Sequence, residues 1–300
     1  MRNATAGLAA SNERPVSFFM LRQRLIVTLL LIPPGIFFIF QGGFLYFGLL
    51  LCFFLPAAHE YAQIMRRGGY RPAQWLIVGG TFLLLLAQSA PTLWPALEPE
   101  AAVLSGGALA ILLVAATAWH LVDFERGAQA SGADWAITVA GMIYLGWMGG
   151  YFMLVRALPA GLSWTMTILP AIWFSDSGAY TVGSRLGKHH MSPRLSPKKT
   201  WEGFIGGILW GVFFGALFGA LGSFRAGPDS AVGFRSGAVI GLFVSLVGTL
   251  GDLGISMLKR QVGVKDSSNL LGAHGGLLDR IDSWIVAVPL SYFLILLFFQ

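Results

Sequence analysis

Residues 236–282 read SGAVIGLFVSLVGTLGDLGISMLKRQVGVKDSSNLLGAHGGLLDRID. The stretch opens on an apolar run, 236–255, long enough for a membrane-spanning helix, which needs about 20 such residues. It then changes character. Lys259, Arg260, Lys265, Asp266, His274, Asp279, Arg280 and Asp282 follow before a second apolar run begins at 283. A plain connecting loop needs polarity, but not this mixture. Basic groups, carboxylates, a histidine and a glycine pair are parts for handling phosphate and metal.

The rest of the chain has the character of the apolar run. Its 300 residues are 55% hydrophobic and only 11% charged, with mean hydropathy +0.69. Soluble domains carry about 25% charged residues, so this chain lacks the polar groups to cover a water-facing surface. The composition specifies an all-α polytopic integral membrane protein. The formal charge of +6 then reads as loop topology, not as nucleic-acid affinity. One cysteine, Cys52, excludes an internal disulfide and a cysteine zinc set. Lying in LLLCFFL, it reads as a small buried apolar residue.

Apolar runs fall at roughly 24–41, 43–58, 73–90, 103–121, 135–154, 163–182, 203–222, 236–255 and 283–299, giving about nine spans. The apolar stretch from Leu25 to Leu55 is too long for a signal-peptide core of about 7–15 residues, and no A-x-A site follows it. With a cytoplasmic N-terminus and strict alternation, every lysine and arginine except Arg156, Arg225 and Arg235 falls on the cytoplasmic side, as the positive-inside rule requires. The chain divides into a cytoplasmic segment 1–23, a mostly structural membrane part 24–160 and a chemistry-bearing membrane part 161–300. No internal repeat is visible.

Carboxylates inside spans cost about 2.5–3.5 kcal/mol on insertion scales, so their placement carries information. Asp176 lies toward the cytoplasmic end of the sixth run and Asp252 toward that end of the eighth, while Asp279 and Asp282 open the ninth. Three helices thus bring carboxylates to one depth. Asp252, Ser256 and Lys259 follow i, i+4, i+7 spacing, and Asp279 and Asp282 are i, i+3, so each set shares a helix face. Oxygen ligands of this kind suit a hard cation such as Mg²⁺, which takes one or two carboxylates plus substrate phosphates. Lys259, Arg260, Lys265 and Arg280 would counter phosphate charge, and Gly275-Gly276 would let backbone N–H groups approach an anion. His274 is placed for phosphate contact or proton handling. The same residues taken singly also fit local ion pairs at helix ends. The basic loop SRLGKHHMSPRLSPKKTWEGF (184–204) has Ser196-Pro197 as an N-cap and N1 pair, so a helix is expected to start there. Its lysines, Lys188, Lys198 and Lys199, suit a phosphate-binding or substrate-entrance role, and His189 and His190 read as solvated.

The pattern S-M-L-K-R, K-D-S-S and G-A-H-G-G-L-L-D-R-I-D, ungapped from Ser256 to Asp282, resembles the C-terminal signature of the phosphatidate cytidylyltransferases, or CDP-diacylglycerol synthases. S-D-S-G-A-Y-T-V-G-S-R-L-G-K and S-P-K-K-T-W-E-G-F-I-G-G upstream are similar to that family as well. The close likeness covers about 170–285. One departure is Gly272-Ala273, where the family often has Pro-Gly; it removes no charged group. The resemblance implies transfer of CMP from CTP to phosphatidic acid, with Mg²⁺, alone or with a second cation, held by Asp252 and Asp279. It carries Ser256 and Lys259 over as active-site residues on one helix. Asp282, Lys265, Asp266, His274 and Arg280 match motif positions without individually assigned roles. It further implies a homodimer in a bacterial inner membrane with a cytoplasm-facing site and no nucleic-acid partner.

Two other classes share parts of this pattern. A CTP-dependent lipid-alcohol kinase would need a similar phosphate site. An ion or solute transporter would also hold intramembrane carboxylates, but with repeats and midplane placement that the sequence does not show.

Overall fold

The computed structural model describes residues 33–268 and 275–299. The expected segment 1–23, the first half of the first apolar run (24–32) and His274 lie outside the described residues. A helical stretch, 33–41, leads into α1 (Gly43–Arg67). Then come α2 (Gln74–Leu93), α3 (Ala101–Glu125), α4 (Ser131–Ala157) and α5 (Gly161–Leu186). A short antiparallel hairpin, β1 (His190–Ser192) and β2 (Ser196–Thr200), precedes α6 (Trp201–Ala226), α7 (Phe234–Gln261) and α8 (Leu278–Phe298).

Seven helices among the described residues are long and apolar enough to cross a membrane: α1 to α4 and α6 to α8. The protein is therefore a helical polytopic membrane protein. Helix α5 has the length, 26 residues, but not the hydropathy, because serines, threonines, glycines and Asp176 interrupt its apolar face. The second expected span, 43–58, is longer in the structure. Pro56, His59 and Glu60 look like a span end in sequence, yet α1 continues to Arg67.

The main core joins α1, α2, α4, α5, α7 and α8 through residues such as Phe54, Trp164, Ile168, Ile172, Val244 and Ile285, all buried. A smaller cluster ties α2 to α3 and α4 through Leu84, Leu112 and Met142. Within α4 the residues Met142–Trp147 form a wide π turn. Buried Gln88 of α2 donates to the Trp147 carbonyl there at 2.9 Å, which satisfies a backbone acceptor that lipid could not. Helices α6 and α7 meet backbone to backbone. A Cβ on Gly237 would strike the Gly215 carbonyl, so only glycine permits the approach. Gly203 and Gly207 of α6 likewise approach the Ala179 and Ser175 carbonyls of α5 closely. Cys52 sits on the exposed surface of the bundle, not in its interior; its apolar neighbours in sequence face lipid as readily as core.

The basic loop differs from expectation. Ser196 and Pro197 do not start a helix. They lie in β2, which pairs with β1 in the register His190–Thr200 and Ser192–Ser196. The N-cap is Thr200, whose hydroxyl oxygen accepts from Gly203 N at 3.2 Å. Glu202, in the first turn of α6, reaches back to accept from the backbone N–H groups of Lys188 and His189 and pairs with the His189 ring at 2.6 Å. That hook closes the hairpin, and it binds His189 despite the ring's exposure.

Candidate active site

Helices α7 and α8 bring their polar faces together at one end of the bundle. Gly251 makes this possible: a Cβ there would strike the Asp282 carbonyl. Two storeys of charge result, separated by the seven residues from Asp252 to Lys259, about 10 Å of helix.

The storey nearer the chain crossing between α7 and α8 is closed. Lys259 Nζ meets Asp279 Oδ1 at 2.6 Å, with both side chains about nine-tenths buried. The other Asp279 oxygen, Oδ2, accepts from Ser267 N and Ser267 Oγ at 2.9 Å each and from Gly276 N at 3.3 Å. Two glycines just before α8 let Ser267 and Glu60 approach Asp279. Gly275 has φ +74°, in the left-handed region, and a Cβ on Gly276 would strike Ser267 Oγ and Glu60.

Glu60 completes this storey from the other half of the chain. It is 4% exposed. Its Oε1 accepts from Ser268 Oγ at 2.6 Å and Leu277 N at 3.1 Å, and its Oε2 from Ser267 Oγ at 2.9 Å and Leu278 N at 2.8 Å. Leu277 is the N-cap of α8 and has no cap from its own side chain. A carboxylate from α1 therefore satisfies two orphan N–H groups and sits at the positive end of the α8 dipole. Sequence reading missed Glu60, Ser267 and Ser268. The signal was an acidic residue on the stripe formed by Ala57, Tyr61 and Ile64, all buried, visible only once α1 is extended past 58.

The second storey is open. Asp252 Oδ2 pairs with Lys199 Nζ at 2.6 Å, and its Oδ1 accepts from Ser256 Oγ at 3.3 Å. Asp282 Oδ1 accepts from Ser283 N at 2.7 Å and from the Ser283 hydroxyl at 3.5 Å. Asp176, Asp252 and Asp282 lie within mutual electrostatic reach. Three carboxylates thus face one region with Lys199 as the cation in direct contact. Among the described residues no three acidic or imidazole groups close into a metal cage. A Mg²⁺ ion keeps water and takes phosphate oxygens beside one or two carboxylates, so it does not call for a closed cage. The all-oxygen, under-neutralised donor set fits such an ion. Lys199 reaches Asp252 because β2 carries it over the end of α7.

The remaining expected residues divide by exposure. Lys188, Lys198, Lys265, Asp266 and Arg280 are exposed at this end. Arg260 is exposed too, but its guanidinium donates to the carbonyls of Leu195 (3.2 Å) and Val264 (2.9 Å), tying the hairpin to the end of α7. The structure thus gathers Asp176, Lys199, Asp252, Ser256 and Asp282 in one storey. Lys259, Gly275, Gly276 and Asp279 form the other.

An ordered arrangement of carboxylates, lysines and a glycine turn at one membrane end is what nucleotide and phosphate chemistry requires. Comparison with known proteins agrees. The chain is 35% identical over 281 residues to a phosphatidate cytidylyltransferase of Pseudomonas aeruginosa, covering 90% of this chain and 95% of that one. It is 31% identical to one of Synechocystis, over 92% and 96% of the two chains. It is 42% identical over 163 residues to one of Bacillus subtilis, covering 54% of this chain and 58% of that one. The sequence pattern of the cytidylyltransferase family matches residues 22–298, and with both storeys of the site inside that span, the chain belongs to the cytidylyltransferase family.

Proposed function

We infer that the protein is a phosphatidate cytidylyltransferase, transferring CMP from CTP to phosphatidic acid to give CDP-diacylglycerol and pyrophosphate. The observation that carries this is the ungapped 256–282 signature, whose described residues contribute Ser256, Lys259, Asp279 and Asp282 to the two storeys above. Relatives of matching length and name support it.

A phosphate oxygen of phosphatidic acid attacks the α-phosphorus of CTP. The new P–O bond forms as the bond to the bridging α,β oxygen breaks, and pyrophosphate leaves in line. The attacking phosphate is already anionic near neutral pH, so no strong general base is needed. The protein's work is positioning and charge neutralisation. Lys259 beside Asp279 and Lys199 beside Asp252 supply positive charge. Lys265, Arg280 and the exposed lysines Lys188 and Lys198 draw the nucleotide's phosphates to the aqueous end. Asp176 and the hairpin line the entrance, with Asp266, Gly275, Gly276 and His274 on the crossing segment. Mg²⁺, alone or with a second cation, would be held by Asp252 and Asp279, with Asp282 adjoining, and would neutralise the nucleotide phosphates.

The placement suits both substrates. Acyl chains stay among apolar helices while CTP arrives from water. The proposed topology is nine spans with a cytoplasmic N-terminus, which puts this end in the cytoplasm of a bacterial inner membrane, in a homodimer. The test is product analysis with detergent-purified protein, phosphatidic acid, labelled CTP and Mg²⁺, with an EDTA control and Asp279→Asn. CDP-diacylglycerol with equal pyrophosphate, lost in both controls, is expected. Release of CDP instead would mean γ-phosphate transfer and a lipid kinase.

A further inference from the structure

We propose that Glu60 is a positioning residue for the reaction, holding Ser267, Ser268, Leu277 and Leu278 in place around Asp279 and so setting where Asp279 and Lys259 stand. The proposal rests on the cytidylyltransferase reading. It assigns a part in catalysis to the half of the chain that otherwise serves as scaffold.

Three observations carry it. First, a carboxylate this buried in a membrane protein needs compensation, and Glu60 has four donors within hydrogen-bond reach, two at each oxygen. All four donors lie between Ser267 and Leu278, so the residue grips both ends of the segment that crosses from α7 to α8. Second, the Ser267 hydroxyl is 2.9 Å from Glu60 Oε2 and 2.9 Å from Asp279 Oδ2. It has one hydrogen and donates to one carboxylate at a time. The two carboxylates are therefore coupled through a single group, and Asp279 in turn fixes Lys259 at 2.6 Å. Third, Gly276 leaves no space for a side chain between Ser267 and Glu60, so the grip has one geometry and little slack.

A residue that merely stabilised the fold would alter melting and leave chemistry alone. A positioning residue lowers kcat with little change in KM, because its effect is felt where Asp279 and Lys259 meet the transition state. The experiment compares the parent with Glu60→Gln, Ser267→Ala and the double variant. It reads kcat, KM for each substrate, and hydrogen exchange at the Leu277 and Leu278 amides. Glutamine keeps the length but replaces one acceptor oxygen with a donor. The expected result for Glu60→Gln is a loss of about 10–100-fold in kcat, the usual scale for removing an outer support, with KM for CTP and phosphatidic acid changed less than about threefold. The Leu277 and Leu278 amides should exchange faster. Ser267→Ala should lower kcat while leaving those amides protected, and the double variant should cost no more than the worse single one. If Glu60→Gln does not fold, Ser267→Ala carries the test alone. A folded Glu60→Gln with parental kcat, a Ser267→Ala with parental kcat, or additive losses in the double variant would overturn the proposal. A parent that makes no CDP-diacylglycerol would instead overturn the functional reading on which it rests.

Discussion

The two storeys of charge between α7 and α8 are built from the same residue types and behave oppositely. Around Asp279 each oxygen has its donors, the lysine is paired and the surroundings are dry. Around Asp252, three carboxylates share one contacting lysine and open toward solvent. The first is a finished ion-pair network, the second an arrangement still short of positive charge. A closed network holds atoms in place, whereas an under-neutralised one has something left to bind. The storey around Asp279 is thus ordered in advance, and the storey around Asp252 carries the carboxylates still short of positive charge.

Substitutions should break this contrast in graded ways. The largest effect is expected from Asp252→Asn: turnover falls by about 10³-fold or more, on the scale of losing a principal electrostatic group, while the melting temperature holds or rises. Relief of like-charge repulsion with loss of function is the usual trade at such sites. Calorimetry beside the product assay checks it. A melting temperature that drops with activity would place Asp252 in the frame instead. Next comes Lys259→Met. Leaving Asp279 without its cation should cost about 3–5 kcal/mol, the price of breaking a buried pair, as well as most activity, so a denaturation midpoint that moves little would show the closed storey to be wetter than described.

Smaller effects sharpen the comparison. Lys199→Met frees Asp252 of its contact, so half-maximal activity should need about threefold less Mg²⁺, a shift of well under 1 kcal/mol, read by titration at saturating CTP. An increased Mg²⁺ requirement would mean that Lys199 assists the ion and does not compete with it. The smallest effect is assigned to Thr200→Ala, which removes the α6 cap. About 1 kcal/mol of stability should be lost with kcat nearly parental, since the hairpin is still closed by Glu202.

Much of this was legible in the sequence. The membrane class followed from the shortage of charge, and the α7 and α8 faces from their i, i+4 and i, i+3 spacing. Asp176, Asp252 and Asp282 come near one another, whereas Asp279, expected at the same depth, stands in the other storey against Lys259. Two features were hidden for physical reasons. Hydropathy stops at the first polar residues, so α1 was expected to end at 58 and Glu60 was lost with its last turns. Yet Glu60 is buried because its partners are backbone N–H groups more than 200 residues away, and a window of neighbouring residues carries no trace of them. The hairpin was obscured similarly. Ser196-Pro197 is a sound local start for a helix, but cross-strand pairing with His190–Ser192 and the backward reach of Glu202 outweigh it.

Helix α5 is the one long helix among the described residues without a span-length apolar stretch, and it packs along α6, where Gly207 lets the two backbones approach at Ser175. During synthesis α5 emerges first, carrying Asp176, and has little reason of its own to leave the insertion channel for lipid. Its natural course is to wait for α6 and enter as a helical hairpin, the glycine face of the later helix shielding the polar face of the earlier one. Bulky substitutions along that glycine face would then act before folding is complete, leaving Asp176 on the wrong side of a membrane that the rest of the chain had already crossed.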